Sequence, residues 1–194
     1  KSGAKLIPSW PAGAFTLEAW VKLKPEPENP DWQTGYIIDK TYVPRTHENP
    51  DFNKDYFLSL RRVSRSQAVV LQAGVGLGAE VITFASEPVE MGRDVWRPVA
   101  FAYDGSGTGM LFLDGAMVGR KSYPDKGPAA PGVRAVSLGE RTGSIHAGLP
   151  GYLAQVRIVE GFASTLKLLD VAVAHPFQRT AFERHETGQS LLVT

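Results

Sequence analysis

Residues 96–119 read WRPVAFAYDGSGTGMLFLDGAMVG, and this stretch decides the fold. From Trp96 to Tyr103 large and small side chains alternate with the period of two that indicates a β-strand. Asp104–Gly107 is a dense turn signal, because glycine accepts positive φ and aspartate caps its own turn. A second strand follows over Met110–Leu113, and Asp114–Arg120 opens with the Asp-Gly pair of a tight hairpin turn before a third strand. The stretch therefore predicts antiparallel β structure.

The same alternation recurs on both sides of this hairpin. Phe15–Leu23 has apolar residues at its odd positions, which predicts a strand with one buried face. The other predicted strands are 36–39, 56–61, 68–73, 81–84, 136–138 and 152–159, with a closing strand around 166–173. The tail 178–188 is polar and predicts a helical turn or a linker. Because turn signals recur regularly and no long amphipathic helix appears, we expect one all-β sandwich domain over residues 1–194.

Composition limits the classes of function. A length of 194 residues and an apolar content of 43% suit a single domain with a sizeable core. The 21 basic and 20 acidic residues give a net charge of +1, so nothing favours a nucleic-acid partner, which needs a clustered basic excess. The lack of cysteine excludes disulfides and thiolate metal sites. No apolar run reaches the length that crosses a bilayer, so no membrane span is predicted.

Three segments carry a family resemblance. The central one is Trp96 with Val-Ala-Phe-x-Tyr-Asp-Gly and Leu-Phe-x-Asp-Gly behind it. The flanking ones are FTLEAWVK at Phe15–Lys22 and, near the end, LGE at Leu138–Glu140 followed by GYLAQVRI at Gly151–Ile158. In this order they resemble the laminin G-like domains of the concanavalin A-like lectin/glucanase superfamily, over residues 15–164. The resemblance implies a concanavalin A-like jelly-roll sandwich of two antiparallel sheets.

Catalysis is not expected, although that superfamily includes glycoside hydrolases and lyases. Its retaining glucanases carry Glu-x-Asp-x-Glu on one strand, a spacing that puts the acid and the nucleophile on the same face. No Glu-x-Asp occurs in this sequence. The close glutamate pairs lie in Pro-containing loops, at 26/28 and 87/90, or in the tail, at 183/186. The chain is therefore predicted not to be an enzyme.

A calcium site is predicted in the long loop 41–54 and just beyond it. Asp51, Asn53 and Asp55 place three oxygen donors at alternate positions, and oxygen is the ligand that Ca²⁺ prefers. The resemblance also implies one calcium ion at the rim of the sandwich. The loop is not an EF-hand, because Tyr56 stands where that motif needs glycine. The alternative is that these side chains cap turns and face water.

Sugar binding needs aromatic faces for stacking and planar polar groups for hydroxyls. Such residues lie in or beside the loops around the second strand and in the loop 140–150. Because loops joining sandwich strands commonly gather at one rim, the two groups are expected to converge, although each aromatic side chain could instead pack internally. The predicted ligand-binding residues are Trp32, Tyr42, Arg45, His47, Asn49, Arg141 and His146. Arg157 is expected to pair with a carboxylate of a neighbouring strand.

These observations predict a non-catalytic, lectin-like carbohydrate-binding module of a larger exported protein, dependent on calcium if the loop site is real. We expect a secreted or a cell-surface or periplasmic location in a bacterium. The partners would be a polysaccharide or glycan and the neighbouring domains of the parent chain. The alternative is a structural or protein-interaction domain that packs against a neighbouring domain and binds no sugar. A divergent hydrolase or lyase is a third hypothesis, and it would need a carboxylate pair in a concave groove.

Overall fold

The computed structural model describes residues 13–25, 32–41, 53–63, 68–132, 134–141 and 148–162, and the backbone of 183–184 and 190–193. All regular elements of these residues are strands. They are β1 (Phe15–Leu23), β2 (Thr34–Asp39), β3 (Tyr56–Arg62), β4 (Ala68–Gly76), β5 (Val81–Ala85), β6 (Val89–Glu90), β7 (Trp96–Tyr103), β8 (Thr108–Leu113), β9 (Ala116–Ser122), β10 (Ser137–Leu138), β11 (Gly151–Glu160), β12 (Glu183–Arg184) and β13 (Ser190–Val193).

The strands form two antiparallel sheets. A seven-stranded sheet has the order β12-β13-β11-β1-β7-β8-β9. A six-stranded sheet has the order β10-β2-β3-β4-β5, with β6 also paired to β4. The hairpin predicted at residues 96–119 forms β7, β8 and the first part of β9. The predicted all-β sandwich of two antiparallel sheets is therefore confirmed. Among the described residues, no helix is long and apolar enough to cross a membrane.

The core lies between the two sheets and is rich in aromatic rings. The odd-numbered residues of β1 all face it, as their alternation predicted. Phe15 of β1 approaches Tyr56 of β3 with ring centroids 4.9 Å apart. The ring centroids of Phe84 in β5 and Phe101 in β7 lie 5.1 Å apart. These pairs join the two sheets, and each buried ring stabilises the fold by roughly 1.5–3 kcal/mol.

The opposite face of the seven-stranded sheet, called the outer face below, is also largely buried near β1. Thr16, Glu18 and Trp20 are exposed by only 0%, 6% and 8%. Ala100, Ala102 and Phe112 form a second apolar cluster on neighbouring strands. The expectation that β1 buries one face is therefore wrong. Alternating polarity indicates which side chains share a face, but it does not indicate what packs over the more polar side.

Other predictions need adjustment at the strand ends. The strand predicted over 68–73 continues through Gly74 to Gly76 as β4, and the turn before β5 falls at residues 77–80. The closing strand expected at 166–173 lies outside the described residues. That strand stays a prediction, while β13 pairs with β11 through Val156 and Val193. The predicted helical turn or linker over 178–188 is wrong for residues 183–184, which form β12.

Asp104 stabilises the turn between β7 and β8. Its Oδ1 accepts hydrogen bonds from the backbone N–H groups of Ser106 at 2.8 Å and Thr108 at 2.9 Å. Burial raises the pKa of the Asp104 carboxyl, but the hydrogen bonds from Ser106 and Thr108 outweigh this effect, so the pKa lies below its ordinary value of 3.8. The ionised carboxylate is thus the form that the turn prefers.

We expect Asp104→Ala to lower the free energy of unfolding by about 1 kcal/mol, because two backbone donors lose their acceptor. Asp104→Asn is the matched control, since it keeps an acceptor oxygen without the charge. A depressed folded-state pKa adds stability above the unfolded pKa, and that stability is lost as pH falls through the folded pKa. The difference between the wild type and Asp104→Asn, measured by denaturant unfolding, should therefore be present at pH 7 and shrink below about pH 4. A difference that stays constant with pH would contradict this.

Candidate functional site

The first polar constellation lies at the edge of the six-stranded sheet, where β10 pairs with β2. We call Tyr36, Asp39, Thr41 and Arg141 the Arg141 cluster. Nη1 of Arg141 donates to the Tyr36 hydroxyl at 2.7 Å, and the guanidinium carbon lies 4.8 Å from the centre of that ring. Nε of Arg141 lies 3.7 Å from Oδ2 of Asp39. Oδ1 of Asp39 accepts from the Thr41 hydroxyl at 2.7 Å.

The Arg141 cluster is mostly internal. The side chains of Asp39 and Arg141 are 1% and 29% exposed. Burial raises the pKa of the Tyr36 hydroxyl, Arg141 lowers it and Asp39 raises it again, with a net upward shift. Tyr36 therefore remains a neutral donor and acceptor at neutral pH. The cluster fixes the partly exposed Arg141 side chain at the sheet edge, which suits orientation more than catalysis.

The second constellation is a buried ion pair next to this cluster. Nζ of Lys40 lies 2.8 Å from Oδ2 of Asp55, and both side chains are less than 5% exposed. The approach is outside hydrogen-bond geometry, so the attraction is mainly Coulombic. The loop at Ala130 and Gly132 packs directly on Asp55, whose backbone N–H donates to the Ala130 carbonyl at 2.9 Å. Asp55 is therefore already neutralised by a cation of the chain itself.

This pairing competes with the calcium ion predicted for Asp51, Asn53 and Asp55. An ammonium occupies the position beside the Asp55 carboxylate where a metal would bind, and the amide of Asn53 donates to the Ala79 carbonyl at 3.1 Å. Asp51 lies outside the described residues. Within the described ranges, no group of three or more acidic or histidine side chains could hold a metal ion. Calcium binding at these residues or elsewhere in the chain stays a prediction.

The structure places only two of the seven predicted ligand-binding residues. Arg141 is in the cluster above. Trp32 is 3% exposed and belongs to the inter-sheet core, so the expectation of a loop aromatic open to sugar is wrong for this residue. Its apolar ring is more stable in the core than in water. The rest lie outside the described residues and stay predictions: Tyr42, Arg45, His47, Asn49 and His146.

The outer face presents an aromatic–lysine row, formed by Trp96, Lys22 and Tyr152. They lie side by side on β7, β1 and β11, because Lys22 pairs in register with both aromatic residues. Nζ of Lys22 is 5.7 Å from the centre of the Trp96 ring and 5.4 Å from that of Tyr152. Lys24 reaches the same Tyr152 ring at 5.6 Å, and Asp94 pairs with Lys22 at 2.9 Å. The Tyr152 side is open to solvent, with 51% of the residue exposed.

Beside this row lies a small cavity of about 20 Å³, which we call the Trp20 pocket. The residues that line it include Glu18, Trp20 and Gln155, which have polar side chains, and the apolar residues Ala100 and Phe112. Glu18 accepts from Nε of Arg157 at 2.7 Å, which confirms the predicted pairing of that arginine with a neighbouring strand. The Trp20 indole N–H is buried and has no partner among the described residues.

The laminin G model of the concanavalin A-like lectin/glucanases superfamily matches residues 4–165. The chain belongs to this laminin G-like family. The match covers the three segments that carried the resemblance, so both the predicted family and its fold are confirmed. No curated protein matches the laminin G-like chain.

Solved structures share the fold at low identity. One is a native heptameric SAP-like pentraxin from Limulus polyphemus, with TM-score 0.60 and 18% identity, covering 83% of this chain and 70% of that one. Another is a protein from Bacteroides ovatus that is named as carbohydrate-binding, with TM-score 0.55 and 14% identity, covering 81% of this chain and 40% of that one. A third is the binding domain of botulinum neurotoxin DC, with TM-score 0.56 and 10% identity, covering 83% and 35%. The laminin G-like chain thus spans less than half of the length of the last two proteins.

Sequence reasoning missed the aromatic–lysine row. The sequence places Lys22, Trp96 and Tyr152 in three predicted strands and does not indicate that their side chains meet. A signal was present in the even-numbered residues of β1. Trp20 and Lys22 share a face, and the register of a central strand with both neighbours brings residues far apart in sequence onto one rung.

Proposed function

We propose that this laminin G-like chain is a non-catalytic carbohydrate-binding module of a larger exported protein, and that it binds sugar at the aromatic–lysine row. The observation that carries the proposal is the half-exposed ring of Tyr152 beside two lysine ammonium groups. Sugar rings offer C–H faces that stack on aromatic rings, and their hydroxyls accept hydrogen bonds from ammonium groups. The row is open and shallow, so we expect affinities on the order of micromolar to millimolar.

The state of the buried carboxylates supports a non-catalytic role. Among the described residues, the buried acidic side chains are Glu18, Asp39 and Asp55. Each has a cationic neighbour, which is Arg157, Arg141 or Lys40 respectively. A glycosidase needs one carboxyl group as acid and a second as nucleophile or base, both open to the sugar. Carboxylates engaged in internal ion pairs are poorly suited to either role.

The structural relatives support two classes of partner. The Bacteroides ovatus protein is named for carbohydrate binding, which agrees with the proposal. The structure of the neurotoxin binding domain is a complex with rat synaptotagmin II, which favours the alternative of a protein-interaction domain. The exposed Tyr152 could serve either partner, so the experiment must separate them.

We expect at least one soluble polysaccharide or oligosaccharide from a broad panel to raise the Tm of the wild type by mass action. Tyr152→Ala should weaken that binding roughly tenfold or more, because the stacking surface is lost. Met117→Ala is the matched control, since Met117 is another exposed apolar residue, at 54%. Repeating each titration with Ca²⁺ and with EDTA tests the calcium dependence. If no glycan shifts the Tm under either condition, the protein-interaction alternative replaces the proposal.

A further inference from the structure

We infer that the Trp20 pocket receives one hydroxyl group of the bound sugar, and that this group is the exocyclic primary hydroxyl of a hexopyranose. The inference deepens the proposed function and rests on it. In this arrangement the pocket selects among sugars. The open aromatic–lysine row cannot do so, because stacking on a ring face discriminates poorly between similar sugars.

The size of the pocket limits what can enter. A volume of about 20 Å³ admits one oxygen-sized group and no more. Ring hydroxyls are attached directly to the pyranose ring, so the ring itself would have to approach the sheet. A primary hydroxyl sits on an extra carbon and projects from the ring. It is therefore the sugar hydroxyl best able to reach into a narrow pocket while the ring remains outside.

The polar groups of the pocket match a hydroxyl, which both accepts and donates a hydrogen bond. Trp20 is more than nine-tenths buried, and its indole N–H, which can only donate, lacks a partner among the residues that the structure describes. Glu18 supplies a carboxylate, which has about four acceptor sites, and Arg157 binds one of its two oxygens. An anionic ligand group would face this carboxylate, so a neutral hydroxyl is favoured over a carboxylate or a sulfate.

Gln155 shapes the pocket through a β-bulge. The register of β1 against β11 shifts between Glu18 and Trp20, and Gln155 is the extra residue on β11, with a φ of 48°. A residue other than glycine is strained in this left-handed region of φ, and such strain tends to persist at functional sites. Bulges redirect a side chain, and this one brings Gln155 to the lining of the pocket.

The pocket is within reach of a sugar bound at the row. Trp20 and Lys22 are alternate residues on one face of β1, so they are about 7 Å apart along the strand. The rung at Lys22 holds Trp96 and Tyr152, and the rung at Trp20 holds Pro98 and Ala154. A hexose stacked at the first rung can thus direct its primary hydroxyl towards the second. The two features act as parts of one site.

The test follows the Trp20 indole N–H resonance of ¹⁵N-labelled protein, assigned with Trp20→Phe. The probes are methyl glycosides of glucose, galactose and mannose, each compared with its 6-deoxy counterpart. At least one glycoside with a primary hydroxyl should shift the resonance, and its 6-deoxy counterpart should bind at least about tenfold more weakly, because the buried donor then stays unpaired. Gln155→Gly should fold normally, since glycine tolerates this φ, yet bind the hydroxyl-bearing sugar less tightly.

The outcomes separate the two proposals. If sugars bind in a Tyr152-dependent manner while the Trp20 resonance does not move, the pocket inference is wrong and the proposed function stands. The pocket inference is also wrong if the 6-deoxy sugars shift the Trp20 indole N–H resonance as much as their hydroxyl-bearing counterparts. It is equally wrong if the indole N–H contacts only a structural water in every titration. If no sugar binds the wild type, both proposals fail together. Because the spectra are recorded on wild-type protein, poor folding of a variant does not obscure the result.

Discussion

Lys40→Met should lower the free energy of unfolding by about 3–5 kcal/mol, the loss typical of a buried ion pair left with one partner. For a chain of this size, that corresponds to a Tm lower by roughly 6–20 °C. The reason is the burial of Asp55, whose carboxylate meets the Lys40 ammonium at 2.8 Å and is almost without solvent. Methionine keeps the volume of the lysine stem but supplies no charge, so the desolvated carboxylate has no counter-ion.

The double variant Lys40→Met/Asp55→Asn is the matched control. Asparagine suits this position because Asp55 has a φ of 58°, a left-handed conformation that asparagine tolerates better than most residues. Removing both charges should recover most of the lost stability, since replacing a whole buried pair is often nearly neutral. Thermal unfolding at neutral pH measures all three proteins. If Lys40→Met alone were as stable as the wild type, the carboxylate could not be buried as described.

The same variant bears on the calcium prediction. In the wild type, the Lys40 ammonium lies beside Asp55, so added Ca²⁺ should bind this carboxylate weakly and raise the Tm little. In Lys40→Met the carboxylate is left without a cation, and any new calcium-dependent rise in Tm would identify Asp55 as the added ligand. A calcium response that is the same in both proteins would place the ion elsewhere in the chain.

The sandwich was predictable because its signals are local. Alternation in Phe15–Leu23 and the paired turns after Tyr103 and Leu113 are properties of consecutive residues, and β1, β7 and β8 follow from them. The contents of the site are not local. Lys40 meets Asp55 only because the ends of β2 and β3 come together, as the bond from the Lys40 N–H to the Tyr56 carbonyl at 3.0 Å shows.

Burial was the least predictable property. Trp32 follows a proline-rich loop, where an aromatic residue is expected to be exposed, yet it lies in the core. Glu18 alternates with core residues and was therefore expected on a solvated side, yet it is buried. In each case the packing of distant segments decides the exposure. Periodicity along one strand contains no information about those segments.

Arg157→Met should cost about 3–5 kcal/mol as well, because it leaves the Glu18 carboxylate buried without its cation. Glu18 and Arg157 face each other across β1 and β11, and their side chains are 7% and 28% exposed. Both Nε and Nη2 of Arg157 approach the same carboxylate oxygen, Oε2. Arg157→Lys is the matched control, since it keeps the charge but cannot reproduce the paired approach, so an intermediate loss in denaturant unfolding is expected.

Unfolding and sugar-binding measurements on a double variant of Glu18 and Arg157 separate stability from ligand binding. Glu18→Gln/Arg157→Met removes both charges and should recover much of the stability, because no unpaired ion remains in the sheet. It also replaces the carboxylate of the Trp20 pocket with an amide, which accepts a hydrogen bond less strongly than an ion. The double variant should therefore fold well but bind the hydroxyl-bearing sugars less tightly than the wild type. Unimpaired sugar binding in this variant would show that the Glu18–Arg157 pair serves the sheet alone.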